Sequence, residues 1–154
     1  MGRIDKVNFY LDLAEACARR GTCLRRNYGA VIVKNDEVIS TGYTGAARGL
    51  PNCCDRGTCL REELGCKPGE RYELCVSVHA EQNAIISAAR KDMLGSTLYL
   101  VGIDAKTGEV LSKAEPCLMC RRMIINAGIR EVVGRSGKEG NYTRTEVLSY
   151  QVLK

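Results

Sequence analysis

The side chains able to do chemistry in this chain are few, and they fall in two places. His79 is the sole histidine of 154 residues, and Glu81 follows it by two positions where an apolar helical pattern begins. Downstream, Pro116-Cys117-Leu118-Met119-Cys120 sets two thiols three apart at the start of another helical run. One imidazole and two thiolates suit zinc and leave a fourth tetrahedral position open, as a catalytic rather than a closed structural site requires. Such an ion makes hydroxide available near neutral pH. A neighbouring carboxylate can then carry protons from water to a leaving group. The expected chemistry is metal-assisted hydrolysis, with His79, Cys117 and Cys120 as ligands and Glu81 as the acid–base group.

The spacings agree with these roles. Cys117 and Cys120 share one helix face, and a helix N-terminus lowers thiol pKa values. In a regular helix Glu81 would lie about 200° around the axis from His79. It therefore approaches the ion from another side rather than as a fourth ligand. A carboxyl that alternates between acid and base needs a raised pKa, which a closed apolar pocket provides. Alone, His79 reads as an ordinary surface or core histidine, and the cysteine pair as a structural or redox motif. Their conjunction at two helix starts points to hydrolysis.

These residues need elements to hold them. Asp5 can cap a helix running to about Arg19, with Phe9, Leu13, Ala16, Cys17 and Arg20 near helical spacing. Ala30–Val33 and Val38–Tyr43 are β-branched runs flanking Asn35-Asp36, which predicts a hairpin. Residues 44–78 read as irregular, with repeated Gly and Pro and five of the nine cysteines. So long a loop is uncommon unless functional or stapled. A helix is expected over Val78–Arg90, packing through Ala80, Ala84, Ile85, Ala88 and Ala89. A strand follows at Thr97–Val101, then a hairpin excursion over 102–114 turning at Lys106-Thr107-Gly108. Cys117–Ala127 reads as a helix entered at Pro116 and left at Gly128. Ile129–Val133 is the fourth strand, and Thr143–Tyr150 a fifth. The linker 134–142 is too short for a parallel crossover, so the fifth should run antiparallel to the fourth. Alternating helices and strands predict an α/β fold, a three-layer α/β/α sandwich on a mixed sheet of about five strands. We expect one domain over 1–154, with a cysteine-rich insert at about 44–77.

Composition narrows the function classes. Hydrophobic residues are 45% and charged residues 27%, ordinary for a globular protein. No apolar run reaches the ~20 residues of a membrane span. The start lacks an apolar signal core and has Lys6 where myristoylation needs Ser or Thr, so a cytoplasmic location is expected. Nine cysteines cannot all pair within one chain, and clustered thiols in this setting are read as metal ligands. The net charge of +5 is mild and favours an anionic small molecule. Few aromatics and no basic run argue against nucleic-acid binding, and nothing indicates a membrane partner.

Several stretches together resemble the cytidine and deoxycytidylate deaminase superfamily, most closely its deoxycytidylate (dCMP) branch. They are Gly29–Val33, Ile39–Gly45, the insert stretch Pro51-Asn52-Cys53-Cys54-Asp55, Val78–Ile85 with its His-Ala-Glu, the Pro-Cys-x-x-Cys run, and Ile124–Ile129. The resemblance spans about residues 23–133 and implies the cytidine-deaminase-like fold. It also implies hydrolysis of dCMP to dUMP and ammonia in pyrimidine nucleotide metabolism. It further implies a homo-oligomer, dCTP and dTTP as nucleotide effectors, and a second, structural zinc. For that zinc the matching residues are Cys23, Cys53 and Cys75, with Cys59 as fourth ligand and Cys54 and Cys66 as rivals. Substrate contacts implied by position are Arg26, Asn27, Ala30, Thr44 and Ala80, the two alanines through their backbone. Arg25 and Arg48 are further candidates for the phosphate, which a guanidinium fork suits. Thr44 stands where the family's turn has an asparagine that contacts the sugar. The excursion 102–114 is longer than in relatives, and the tail after 134 lacks the family's last helix. Alternatives are a deaminase of another nucleoside, a modified cytosine nucleotide or a different base, or a zinc-stapled interaction domain without catalysis.

Overall fold

The computed structural model describes residues 2–137 and 140–150. Its organising layer is a five-stranded sheet. Strand β1 spans Arg26–Lys34 and β2 Glu37–Tyr43, while β3 (Gly45–Ala46) and β4 (Ser77–Val78) form a separate two-stranded ribbon. The remaining strands are β5 (Thr97–Asp104), β6 (Glu131–Arg135) and β7 (Tyr142–Glu146), and the main sheet is ordered β2-β1-β5-β6-β7. Only the β5–β6 pair is parallel, and β7 runs antiparallel to β6 as the short linker requires. The expected mixed three-layer α/β/α sandwich is the observed fold.

Alternation along the inner strands builds two cores. Ala30 and Ile32 of β1, with Leu98 and Leu100 of β5 and Val132 of β6, face one layer. That layer holds the helices α4 (Ala80–Ile86), α5 (Arg90–Met93) and α6 (Leu118–Ala127). Val31, Val33, Tyr99, Val101, Ile103 and Val133 face helix α1 (Lys6–Arg19) on the other side. Strands buried on both faces must read as continuous apolar runs, which β1 and β5 do. Edge strand β7 is mostly exposed and carries Arg144 and Glu146, which discourages pairing with a further strand.

The hairpin turn falls at Asn35-Asp36, both in the left-handed region, as a two-residue hairpin requires. Asp5 caps α1 as expected, accepting from Asn8 N–H at 2.9 Å. The buried stripe of α1 differs, however: it is Tyr10, Leu11, Ala14 and Ala18, while Phe9 is exposed. The small Ala14 and Ala18 let the backbone of β1 approach closely. A Cβ on Gly29 would sit 1.9 Å from Ala14 O and 2.4 Å from Ala18 N.

Other boundaries also move. The segment 44–78 is not irregular. The β3–β4 ribbon closes it at its base, and it contains the short helices α2 (Cys53–Arg56) and α3 (Leu60–Glu63) and a 3-10 turn at Tyr72–Leu74. The helix expected to Arg90 stops at Ile86, and Ala89 is extended. Helical propensity loses there to tertiary anchoring. The chain breaks so that α5 can bury Met93, with Arg90 Nε on Asn126 O at 2.8 Å and Gly95 N on Gly128 O at 2.8 Å. Strand β6 begins two residues late because Ile129 N–H still bonds Ile124 O at the end of α6. The excursion after β5 is a tight return, with Ile103 bridging Val110 and Asp104 accepting from the N–H groups of Lys106 and Thr107. The last strand ends at Glu146, followed by a 3-10 turn at Val147–Ser149. Residues 138–139 of the expected linker and 151–154 of the tail lie outside the described residues. No helix among the described residues is long and apolar enough to cross a membrane.

Helix α4 is seated on β2 through one glycine. A Cβ on Gly42 would lie 2.3 Å from Ala80 O and 2.5 Å from Ala84 N. The Ser40 hydroxyl donates to Ala84 O at 2.7 Å, and Asn83 Nδ2 donates to Tyr43 O at 2.8 Å. Gly42→Ala should therefore lift α4 off the sheet, at a cost of roughly 1–3 kcal/mol. A thermal melt should fall by about 4–10 °C. An unchanged melt would mean that the helix has slack against β2.

Candidate functional site

Helix α6 begins where Cys117 leaves the helical conformation and caps it. The Cys117 sulfur accepts from Cys120 N–H at 3.5 Å, and Pro116 precedes it. Helix α4 begins the same way, with His79 as its N-cap residue in an extended conformation and its N–H donating to Gln82 Oε1 at 2.8 Å. His79 is thus not on the helix cylinder. The 200° separation from Glu81 expected for a continuous helix does not describe the pair: Glu81 lies in the first turn and His79 just before it.

Packing brings the two helix starts together. The Gln82 amide lies 3.8 Å from Met119 Sδ and 3.6 Å from Met123 Sδ, tying α4 to α6. As a result His79 Nδ1 is 3.5 Å from both Cys117 Sγ and Cys120 Sγ. All three ligand atoms lie within 4.8 Å of one another. Tetrahedral zinc, with bonds of about 2.3 Å to sulfur and 2.0 Å to nitrogen, needs a nitrogen–sulfur separation of about 3.5 Å. The donor set and its spacing fit that ion. Among the described residues no other trio of His, Cys, Asp or Glu converges in this way.

Glu81 is 4% exposed, and its carboxyl lies against the Cys120 thiol. Burial raises its pKa, opposed by its own backbone N–H and by His79. The two thiols split. A hydrogen bond from Cys120 holds the Cys117 thiol well below its ordinary pKa, and that shared proton, with burial, pushes Cys120 well above it. For His79, burial works against the charged ring, but contacts with the Cys117 and Cys75 sulfurs outweigh it and raise the imidazole to about 10.

A cavity of about 900 Å³ opens over this cluster. Of the residues expected to touch substrate, Arg26, Thr44 and Ala80 line it, as do Arg25, Cys23 and Cys75. Asn27 is not in its wall. Its amide bridges Cys23, accepting from N–H at 2.8 Å and donating to C=O at 3.0 Å. Ala30 is fully buried, paired with Gly42 and Leu100 in the sheet, and also outside the wall. Arg48 is exposed in its loop away from the cavity, and Arg25 is tied to Glu62 at 3.2 Å. The sequence did not single out Tyr28, Arg61, Tyr72, Arg121 or Arg122, all of which line it. No local pattern distinguishes these residues from ordinary loop and helix positions. A weak signal was available for Arg121, since a residue one helical turn after Cys117 faces the same space.

All nine thiols are free. Cys53 is buried, and burial raises its thiol pKa, with smaller contributions from Cys23, Cys75 and Cys59. Those four are therefore neighbours, though not gathered as tightly as the His79 trio. Cys54 is exposed.

The groups predict their own proton linkage. At pH 7 the raised His79 and Cys120 each hold a proton that a metal must displace. Zinc affinity of chelator-stripped protein should thus rise about a hundredfold per pH unit around neutrality, tenfold for each proton released. The gain from His79 ends as pH passes its value of about 10. Competition titrations with a coloured chelator at several pH values measure this, and a flat profile would contradict the assignment.

Residues 5–135 match the family described as the cytidine and deoxycytidylate deaminase zinc-binding region. A deoxycytidylate deaminase of Mycobacterium phage D29 is 38% identical over 138 residues, covering 86% of this chain and 96% of that protein. The Saccharomyces cerevisiae deoxycytidylate deaminase is 38% identical over 151 residues, but the chain spans only 41% of its length. A crystal structure of the cyanophage S-TIM5 dCMP deaminase in complex with dCMP and dUMP matches with a TM-score of 0.60 and 27% identity, over 87% of this chain and 83% of that one.

Proposed function

Because the chain belongs to the cytidine and deoxycytidylate deaminase family, whose defining region binds zinc, we propose that it hydrolyses dCMP to dUMP and ammonia. The observation that carries this reading is the meeting of His79 Nδ1 with two sulfurs at 3.5 Å beside a buried Glu81. His79, Cys117 and Cys120 would hold a zinc ion, which when bound would supply the Lewis acidity that activates water near neutral pH. Glu81 takes a proton from that water and delivers it to the ring nitrogen beside the attacked carbon. It then takes the second proton, from the hydroxyl now on that carbon, and passes it to the departing amine as the carbon–nitrogen bond breaks. Its burial keeps the carboxyl pKa high enough for both directions. As pH falls through that raised pKa the base form is lost and turnover should fall with it.

The rest of the cavity orders the substrate. The Ala80 backbone adjoins Glu81 and can meet the base edge. Arg26 and Arg122 line the cavity, remain solvent-accessible and suit a phosphate dianion. A second zinc held by Cys23, Cys53, Cys59 and Cys75 is part of the same proposal. It is supported by the mutual influence of these thiols and by the exposure of the rival Cys54. Closing a long insert is what such a site would contribute. The reading also carries a cytoplasmic homo-oligomer responsive to dCTP and dTTP, tested by sedimentation and by adding each nucleotide to the assay.

Ammonia release measured across CMP, dCMP, dCTP, cytidine and adenosine should single out dCMP. Glu81→Ala should keep its zinc and fold while losing at least about a hundredfold in turnover. Activity confined to unphosphorylated compounds would defeat the dCMP assignment, and an active Glu81→Ala protein would defeat the proton-carrier role.

A further inference from the structure

The cysteine-rich insert reaches the metal cluster through two side chains that the deamination chemistry does not use. Arg61 of α3 is only 6% exposed. Its Nε donates to Glu70 O at 3.0 Å, and its Nη2 donates to Lys67 O at 3.0 Å and Glu70 O at 2.7 Å. A guanidinium taken out of water must have its donors satisfied, and here the acceptors are main-chain carbonyls of the turn 67–70. The same guanidinium lies over the Tyr72 ring, 4.6 Å from its centroid. The Tyr72 ring in turn meets the His79 imidazole nearly perpendicularly, with centroids 4.9 Å apart and an interplanar angle of 84°. The chain of contact is continuous from the turn to Arg61, to Tyr72, and to a metal-ligand ring.

His79 needs such a support. As an N-cap residue in an extended conformation it lies outside the helix and meets α4 through its capping contacts with Gln82, while its ring is approached from the insert by Tyr72. That ring's Nδ1 must point at both sulfurs at once. We propose that Arg61 and Tyr72 are positioning residues for His79: Arg61 locks the 67–70 turn and braces the Tyr72 ring, and that ring holds the imidazole in its zinc-binding orientation. This rests on the reading that His79, Cys117 and Cys120 hold zinc. It adds a role for the insert, which would couple its own order to metal retention.

The ring rather than the hydroxyl makes the contact, so the test compares Tyr72→Phe with Tyr72→Leu in the full chain. Tyr72→Leu leaves the carbonyl bonds of Arg61 in place and therefore should not unfold the insert. Zinc affinity by chelator competition, kcat on dCMP with zinc in excess, and thermal melts are measured together. Loss of an outer partner of a metal ligand typically weakens metal binding by about 10–100-fold. Tyr72→Leu should show a loss in that range and a reduced kcat, while Tyr72→Phe stays near wild type on both. Arg61→Ala should follow Tyr72→Leu and also open the turn to protease. A merely structural role would lower the melt while the folded fraction kept its zinc affinity, and that result would overturn the proposal. So would Tyr72→Phe losing as much as Tyr72→Leu. A wild-type protein that takes up no zinc at His79 would instead overturn the proposed function on which this rests.

Discussion

The structure depends on bringing one nitrogen to 3.5 Å from each of two sulfurs at the starts of two helices that are distant in sequence. Three polar groups at that distance are costly unless a shared proton or a cation links them. The splitting of the two cysteine pKa values, one down and one up, is the protein's answer when only protons are present. A dication answers the same demand better, since it neutralises thiolate and needs neutral imidazole. The fold thus stores an arrangement whose natural counterpart is zinc. The rest of the molecule can be read as what fixes that spacing: the sheet below, Gly42 and Ser40 under α4, and the methionines that Gln82 touches on α6.

Glu81 shows the same trade between stability and chemistry. A carboxyl that is almost fully buried is unfavourable in its charged form, and burial raises its pKa. A protein selected only for stability would place an apolar residue in this first turn. Groups with perturbed pKa values gathered at one cavity are the physical signature of a working site. That signature is absent from a purely structural zinc clasp, which explains why the carboxylate speaks against the interaction-domain alternative.

Much of this was legible in the sequence, for identifiable reasons. The convergence of His79, Cys117 and Cys120 beside Glu81 could be read because zinc restricts ligand types and spacings so tightly. The buried strands and the Asn35-Asp36 turn could be read because both sheet faces are apolar and the turn residues are special. The inward stripe of α1 was misjudged because hydrophobicity ranks Phe9 above Ala14 and Ala18, whereas close approach to Gly29 selects small residues. The break after Ile86 was invisible because an alanine-rich stretch carries no local stop signal; distant partners such as Asn126 O and Gly128 O decide it. Asn27 was placed at the substrate by analogy of position, but its amide is consumed by Cys23. Arg61 and Tyr72 were missed because their significance lies in contacts across the insert, which no period in the sequence encodes.

Thr44, which lines the cavity, is held by the backbone around it. Its hydroxyl lies 2.9 Å from Tyr28 N–H, which it accepts, and 3.4 Å from Tyr28 O, while its backbone N–H donates to the same carbonyl at 3.1 Å. Its own carbonyl accepts from Thr22 N–H at 3.0 Å. Thr44 therefore fastens the end of β2 to the start of β1, and its hydroxyl is engaged by the backbone rather than held out for a ligand. An asparagine has a longer side chain with both a donor and an acceptor to extend past that corner. Tyr28 lines the same cavity: it adjoins Thr44, and its phenol interacts with Arg26 and feels the Glu81 charge. The cavity wall is thus shared between strand β1, through Arg26 and Tyr28, and the insert, through Arg61 and Tyr72.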